Sequence, residues 1–91
     1  MVLYLNNAYQ PEEYTLQISP AAVTITAAEE RGVIWALTSL SQLLDESLSA
    51  PWCQINDRRR YAHRGLSLDC ARHFFQVSDI NLIIEQMSLV K

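Results

Sequence analysis

The chain has 91 residues, 49% of them hydrophobic and 19% charged, with a net charge of −3. This length allows one small domain or part of a larger one, and the apolar content excludes a disordered chain. The negative charge argues against nucleic acid as a partner, and no apolar run approaches the roughly 18 residues of a membrane span. A small chain with this much apolar surface is expected to bury some of it against another chain or domain.

Cysteine usage and the N-terminal sequence bear on the compartment. The two cysteines, Cys53 and Cys70, form no disulfide-type spacing, so a reduced, cytoplasmic setting is the default expectation. No basic region followed by an apolar core opens the chain, so no secretion signal is predicted. The native compartment stays open.

The first third of the chain has the patterns of three strands. Residues 2–5 form a short apolar run that predicts a strand. Residues 14–18 and 23–26 each alternate apolar with polar side chains, the period of a half-buried strand. The turn residues Ser19-Pro20-Ala21 separate them, so the two segments are predicted to pair as a hairpin.

An amphipathic helix of about five turns is predicted over residues 28–44. Thr26 to Glu29 fits a capping box, with Thr26 as the N-cap. Gly32 lies inside the helix at a cost of about 1 kcal/mol, which a close approach to a neighbouring element would explain. The predicted buried stripe is Val33, Ile34, Ala36, Leu37, Leu40, Leu43 and Leu44, and the predicted outer face is Ser39, Ser41, Gln42 and Asp45.

A hairpin packed on such a helix is a two-layer α+β unit. Residues 52–55 suit one further edge strand, and residues 56–60 form a charged linker. The basic run Arg58-Arg59-Arg60 within it is interpreted as a solvated linker rather than a phosphate site. The predicted domains are therefore residues 1–57 and residues 58–91.

The segment after the linker is predicted to be one strand–loop–helix step. Residues 65–68 are apolar, as in a strand covered on both faces, and Asp69 closes them. Ser78 is the predicted N-cap of the last helix, with Asp79 in its first turn. In α/β folds ligands meet the chain at the carboxyl ends of strands, which points to Asp69, Arg72 and His73.

The run from His63 to Phe75, HRGLSLDCARHFF, resembles the opening barrel strand of the family-20 glycoside hydrolases, the β-N-acetylhexosaminidases, and the motif match extends over His63 to Phe74. Upstream, the hairpin and the helix with Gly32 resemble the small domain of the same family, so the resemblance covers about residues 13–91. It implies a two-layer small domain followed by one β/α unit of an incomplete TIM barrel.

The resemblance also implies an activity for the full-length enzyme. It would remove terminal N-acetylglucosamine or N-acetylgalactosamine from glycans with retention and without a cofactor, the 2-acetamido oxygen of the substrate attacking the anomeric carbon. The family's catalytic Asp-Glu pair has no match here, since Asp45-Glu46 ends the first helix and Glu85 lies in the last one. The chain alone is therefore predicted to lack catalytic residues and activity.

One substrate contact is implied by the motif. Arg72 matches the family arginine that holds two hydroxyls of the terminal sugar, and the alternative is that it neutralises Asp69 or Asp79. Asp69 would orient Arg72 or bind loop amides, and His73 would support the site by packing. His63 and Arg64 are interpreted as structural.

Metal and nucleophile sites are not predicted. The spacing Cys70-x-x-His73 is half a zinc motif without a second half, since Cys53 and His63 come from the linker side. A nucleophilic Cys70–His73 pair lacks any feature that would hold an oxyanion.

The last helix has clear N-terminal signals but no C-terminal stop signal before Lys91. A single barrel strand with its helix cannot bury itself, so the chain is expected to be a truncated piece of a longer protein, or to self-associate through its apolar strand and C-terminal helix. The alternative function is a non-enzymatic packing or interaction module.

Overall fold

A computed structural model describes all residues from 1 to 91 and shows an α+β chain, as predicted. The chain divides into two compact units, Met1–Arg60 and Tyr61–Lys91. In chain order the elements are β1 (Val2–Leu5), β2 (Tyr14–Ile18), β3 (Val23–Ala27), α1 (Glu30–Leu43), β4 (Cys53–Asp57) and α2 (Val77–Leu89).

The four strands of the first unit form one mixed sheet in the order β1-β3-β2-β4. β2 and β3 pair antiparallel, with Leu16 opposite Ile25, which confirms the predicted hairpin. Its turn is closed by the Ser19 amide, which donates to the carbonyl of Ala22 at 3.0 Å. β1 joins β3 in parallel and β4 joins β2 antiparallel, so both predicted outer strands are present, at opposite edges.

The two faces of the sheet differ in chemistry because side chains alternate along each strand. The face under α1 holds the core, in which Tyr14, Leu16, Ile25 and Ala27 are fully buried. The other face is polar over β2, β3 and β4, where it carries Thr15, Gln17, Thr24, Thr26, Gln54 and Asn56, and Val2 and Tyr4 of β1 lie in register with Thr24 and Thr26 on the same face. A sheet of this kind needs only one covering layer, which α1 supplies.

The predicted start of α1 is wrong. Thr26 lies within β3 and α1 begins after Glu29, whose side chain makes no capping hydrogen bond. β3 runs to Ala27 because it has a strand on each side, and the amide of Asn6 also donates to the carbonyl of Ala27 at 2.9 Å. These ladder bonds hold Thr26 in the sheet, and the helix is about one turn shorter than predicted.

The buried face of α1 is rotated from the predicted stripe. Ser39, which was predicted to face outward, is buried together with Gly32 and Ala36, whereas Ile34, Leu37 and Leu44 are exposed. The Ser39 hydroxyl lies 2.5 Å from that of Tyr14, which in turn donates to Asp57 Oδ2 at 3.1 Å. Because these hydrogen bonds satisfy its hydroxyl, Ser39 can take a core position that an apolar residue would otherwise fill.

Gly32 lies where α1 approaches the sheet closely. A Cβ at this position would lie 2.7 Å from the carbonyl oxygen of Glu13 and 2.9 Å from Cβ of Ala27. The close approach predicted from the sequence is therefore confirmed, and it explains a glycine inside a helix.

The linker prediction is wrong for residues 56 and 57, which continue β4. Asn56 pairs with Thr15 and Asp57 with Tyr14, and the Thr15 hydroxyl donates to Asn56 Oδ1 at 2.8 Å. The polar sequence suggested a loop, but cross-strand partners satisfy these side chains in the sheet.

Arg59 is likewise not a freely solvated linker residue. Its Nη1 donates to Glu12 Oε2 at 2.9 Å, while Glu12 Oε1 accepts from Nε1 of Trp35 at 3.0 Å. The carboxylate of Glu12 is buried, with 4% exposed, and it ties the loop before β2 to α1 and to the segment after β4.

The loop after α1 contains a strained residue, Leu48, with a φ of 59°. This left-handed region costs most side-chain-bearing residues about 1 kcal/mol but is tolerated by Asn. The Leu48 side chain is 79% exposed, so replacing it loses little packing. Leu48→Asn is expected to raise the free energy of unfolding by about 0.5–1 kcal/mol in urea titrations. An unchanged or lower value would contradict this account.

Asp45 organises the same loop by accepting three hydrogen bonds. The Ser49 amide donates to Oδ1 at 2.8 Å, the Ser47 hydroxyl at 2.7 Å and the Ser47 amide at 3.0 Å. These donors, the Ser49 amide first, lower the pKa of Asp45 below its ordinary 3.8.

The lowered pKa of Asp45 predicts a sign for the pH dependence. The carboxylate stabilises the folded loop above pH 3.8, and this contribution is lost as the pH falls through the lower folded-state pKa. The NMR titration midpoint of the Asp45 carboxyl should lie below 3.8 and shift upward in Ser47→Ala. A midpoint at or above the ordinary value would refute this assignment.

The second unit, residues 61–91, has one regular element. α2 begins after Gln76 rather than at the predicted N-cap Ser78, and Gln76 and Asp79 form a capping box. The Gln76 amide donates to Asp79 Oδ2 at 3.1 Å, which confirms Asp79 in the first turn. No residue of α2 is buried.

The predicted strand over residues 65–68 is not formed. These residues have extended sequence character but no hydrogen-bonded strand partner, and all four are exposed. A parallel strand is held by neighbours on both sides, and residues 1–91 bring none to this segment.

Neither helix has the length and apolarity needed to cross a bilayer.

Candidate functional site

The candidate site lies in the bend that follows residues 65–68. Asp69 Oδ1 accepts the amide of Ala71 at 2.8 Å, a local bond that turns the chain. This turn places Arg72 beside Asp69, with Nε 3.7 Å from Oδ2. Asp69 therefore contacts both a loop amide and Arg72, the two partners that the sequence offered as alternatives.

The Arg72 side chain is open to solvent, with 92% exposed. The ion pair with Asp69 is long and screened by water, so it fixes the guanidinium only weakly. Its two terminal nitrogens make no hydrogen bond or ion pair, which leaves the guanidinium fork available for a ligand.

His73, next to Arg72 in the bend, makes an aromatic contact with Phe75. Its ring meets that of Phe75 edge to face, with centroids 4.9 Å apart and an interplanar angle of 69°. The side chain of Phe74 is 80% exposed and that of Leu66 is 60% exposed. The bend thus carries one cation, one carboxylate and several uncovered apolar side chains.

The carboxylates considered as catalytic from the sequence lie elsewhere. Asp45 is occupied by its loop bonds to Ser47 and Ser49. Glu85 lies within α2, two turns after the N-terminus of the helix. Within residues 61–91, Asp69 is the carboxylate that forms an ion pair with Arg72.

No group of three or more His, Cys, Asp or Glu side chains is placed to hold a metal ion. Cys53 is half-buried in β4 and Cys70 is exposed, and both are free thiols.

Two polar features of the first unit escaped the sequence interpretation. One is the Glu12–Trp35–Arg59 cluster, which joins residues 23 and 47 positions apart. The other is a depression of about 530 Å³ lined by Gln10, Asn56, Asp57, Arg58, Arg59 and Arg60. The run of three arginines was the only sequence signal for the depression. The Glu12–Trp35–Arg59 cluster had no sequence signal.

Comparison with protein-family models gives two adjacent matches. Residues 3–58 match "Glycosyl hydrolase family 20, domain 2", and residues 61–91 match "Glycosyl hydrolase family 20, catalytic domain". The first match alone spans more than half of the chain.

The chain belongs to glycosyl hydrolase family 20.

Relatives within family 20 agree with this assignment. A β-N-acetylhexosaminidase of Cellulomonas fimi is 42% identical over 77 residues, which cover 80% of this chain and 16% of the relative. β-Hexosaminidase 1 of Arabidopsis thaliana is 36% identical over 95 residues, covering 88% of this chain and 17% of the relative.

Solved family-20 structures share the fold of the chain. The β-N-acetylhexosaminidase of Bacteroides fragilis superposes with a TM-score of 0.88 at 27% identity, covering 97% of this chain and 19% of that one. The exo-β-N-acetylglucosaminidase of Vibrio harveyi in complex with N-acetylglucosamine gives 0.86 at 32%, covering 97% and 15%. The family-20 chain therefore spans less than a fifth of these two structures.

Proposed function

We propose that the chain supplies the small domain and the opening of the catalytic barrel of a β-N-acetylhexosaminidase, with the boundary between residues 57 and 58. Such an enzyme hydrolyses terminal N-acetylglucosamine or N-acetylgalactosamine with retention. The observation that carries the proposal is the uninterrupted order of the two family-20 matches, domain 2 and then catalytic domain.

Arg72 is the proposed substrate-binding residue. A guanidinium presents paired donors in a plane, which suits two neighbouring hydroxyls of one sugar ring. Its weak pairing with Asp69 at 3.7 Å orients the side chain without blocking its terminal nitrogens. His73 is the proposed supporting residue and acts through its ring contact with Phe75.

Hydrolysis requires a carboxylic acid that protonates the leaving oxygen, and a second group that stabilises or attacks the anomeric carbon. In a substrate-assisted mechanism the acetamido oxygen of the sugar makes that attack. Asp69 is the carboxylate beside Arg72, and its two oxygens are bonded to the Ala71 amide and paired with the guanidinium. We therefore infer that residues 1–91 alone do not hydrolyse the sugar.

The assay that tests this inference uses the purified 91-residue chain and a fluorogenic N-acetylglucosaminide. The expected rate equals that of a heat-denatured control. Turnover above that control, lost in Asp69→Asn, would overturn the inference.

The role of Arg72 is tested in a chimera. The matching segment of the Cellulomonas fimi relative is replaced by this chain, and kcat/KM is measured for an N-acetylglucosaminide. Arg72→Ala is expected to lower kcat/KM about 10- to 100-fold, as losing a hydrogen bond from a charged group costs about 1.5–3 kcal/mol. Arg72→Lys should recover little, because lysine lacks the planar fork.

The matched control is Arg31→Ala, which removes an exposed arginine of α1. It should leave kcat/KM unchanged, and an equal loss in both variants would contradict a specific role of Arg72.

A second proposal, self-association of the chain, is favoured by the uncovered apolar side chains of residues 61–91; the alternative function, a compact packing module, would instead be a monomer. We propose that two copies of the chain associate through this surface, which includes Leu66, Phe74, Val77, Leu82 and Ile84. Light scattering should show a mass that rises with concentration and falls in Phe74→Ser. A monomer at all concentrations would rule out self-association.

A further inference from the structure

The three consecutive arginines after β4 do not share one environment. Exposure alternates along residues 53–60, as in the strand itself, so Arg59 is half-buried whereas Arg58 and Arg60 are exposed. Arg58 and Arg60 line the same depression as Asn56, which belongs to the polar face of the sheet. Two guanidinium groups thus extend one end of an otherwise uncharged surface.

The two outer arginines also differ from Arg59 in their pairing. Arg59 is neutralised by Glu12 at 2.9 Å, whereas Arg58 and Arg60 have no ion pair or hydrogen bond within the chain. Both line the depression of about 530 Å³ described above. A volume of this order lies within the usual range for small-ligand sites, about 300–1,000 Å³.

The remaining lining restricts the ligand. The amide side chains of Gln10 and Asn56 can donate to an oxygen-rich group. Asp57 also lines the depression, and its carboxylate accepts the Tyr14 hydroxyl at 3.1 Å, so one negative charge remains close to the two arginines. The net charge of the chain is −3, which repels long polyanions.

We propose that Arg58 and Arg60 form a binding site for one tetrahedral oxyanion, phosphate or sulfate, free or carried as the monoester of a small ligand. Guanidinium groups bind such oxyanions through charge-assisted, often bidentate hydrogen bonds. Gln10 and Asn56 bind the remaining oxygens or the hydroxyls of the ester. The site does not depend on the hydrolase activity and lies wholly in residues 1–60.

The experiment is calorimetric titration of the 91-residue chain with inorganic phosphate, inorganic sulfate, glucose 6-phosphate and glucose. Both inorganic ions and glucose 6-phosphate are expected to bind, and glucose is not. Tighter binding of glucose 6-phosphate than of phosphate identifies the monoester as the ligand, and equal binding identifies the free ion.

Variants establish the location of the site. Arg58→Gln with Arg60→Gln should weaken phosphate binding at least about 10-fold, the value of one charge-assisted hydrogen bond. Arg31→Gln removes the same charge from α1 and should leave the affinity unchanged. Circular dichroism of each variant checks that the fold persists, which the exposure of both arginines favours.

Three results would overturn the proposal. They are absence of phosphate and sulfate binding at millimolar concentration, an equal loss of affinity in Arg31→Gln, and tighter, steeply salt-dependent binding of a short oligonucleotide. The last result would indicate a nucleic-acid surface. Because the readout is binding, a failure here is distinct from any failure of the glycosidase proposals.

Discussion

Replacing Gly32 by alanine is expected to destabilise the first unit, although alanine is the better helix former. The added Cβ would lie 2.7 Å from the carbonyl oxygen of Glu13 and 2.9 Å from Ala27 Cβ. One of these atoms belongs to the backbone, so the clash is relieved only by moving α1 away from the sheet. Overpacking of this kind costs about 3 kcal/mol.

Helix propensity returns about 1 kcal/mol of that cost, so Gly32→Ala should lower the free energy of unfolding by about 2 kcal/mol. In a unit of this size that corresponds to a melting temperature lower by about 10 °C. Thermal unfolding followed by circular dichroism measures it.

The chain provides a matched control in its second glycine. A Cβ at Gly65 would meet only the His63 ring, at 3.7 Å, an ordinary contact distance. Gly65→Ala should therefore leave the melting temperature within about 1 °C, because exposed substitutions are usually neutral. Equal effects at both glycines would contradict the close-approach argument.

Removing the carboxylate of Glu12 is the second substitution with a large expected effect. Glu12→Ala leaves Nε1 of Trp35 and the guanidinium of Arg59 without the oxygens they now bond at 3.0 and 2.9 Å. Breaking a buried pair from one side costs about 3–5 kcal/mol. The Arg59 side chain is 31% exposed and regains some water, so the expected loss is about 2–3 kcal/mol.

The neighbouring Glu13 serves as the control for Glu12. Its carboxylate accepts the amide of Gln10 at the surface, so Glu13→Ala should cost about 0.5–1 kcal/mol. Urea titration of both variants measures the difference. Glu12→Gln separates charge from hydrogen bonding, since it keeps an acceptor for Trp35 and loses the ion pair with Arg59.

Where neighbours in sequence decide the structure, the sequence predicted it well. The alternation of Tyr14, Leu16 and Ile18 identified β2 and its buried face, and a turn of four residues made its pairing with β3 nearly inevitable. The close approach at Gly32 was also predictable, because glycine inside a helix is destabilising and close packing against a neighbouring element explains its presence.

Where distant partners decide the structure, the sequence was misleading. Ser39 was placed on the outer face because its burial depends on Tyr14, 25 positions away. Thr26 has the chemistry of an N-cap, but two flanking strands hold it in the sheet. Residues 65–68 have the apolar sequence of a buried strand, but they have no neighbouring strand to pair with. A suitable sequence without a partner does not form a β-ladder.

The candidate site shows the same division. The motif around Arg72 identified the family, which the comparisons confirm for the chain as a whole. The arrangement of Arg72 beside Asp69 follows from a local turn and could be anticipated. The depression lined by Arg58 and Arg60 could not be predicted, because it depends on the register of β4 against β2 and on Gln10 from another loop.

The edge position of β1 determines where the sheet opens first. Val2–Leu5 pair with β3 alone, and all four side chains are exposed, so alternate backbone amides of this strand face water rather than a neighbour. These amides should exchange with deuterium at nearly the rate of an unfolded peptide, whereas those between β2 and β3 stay protected until the whole unit unfolds. Of all parts of the sheet, the N-terminal strand therefore needs the least free energy to detach, which exposes it to a protease or to a competing chain.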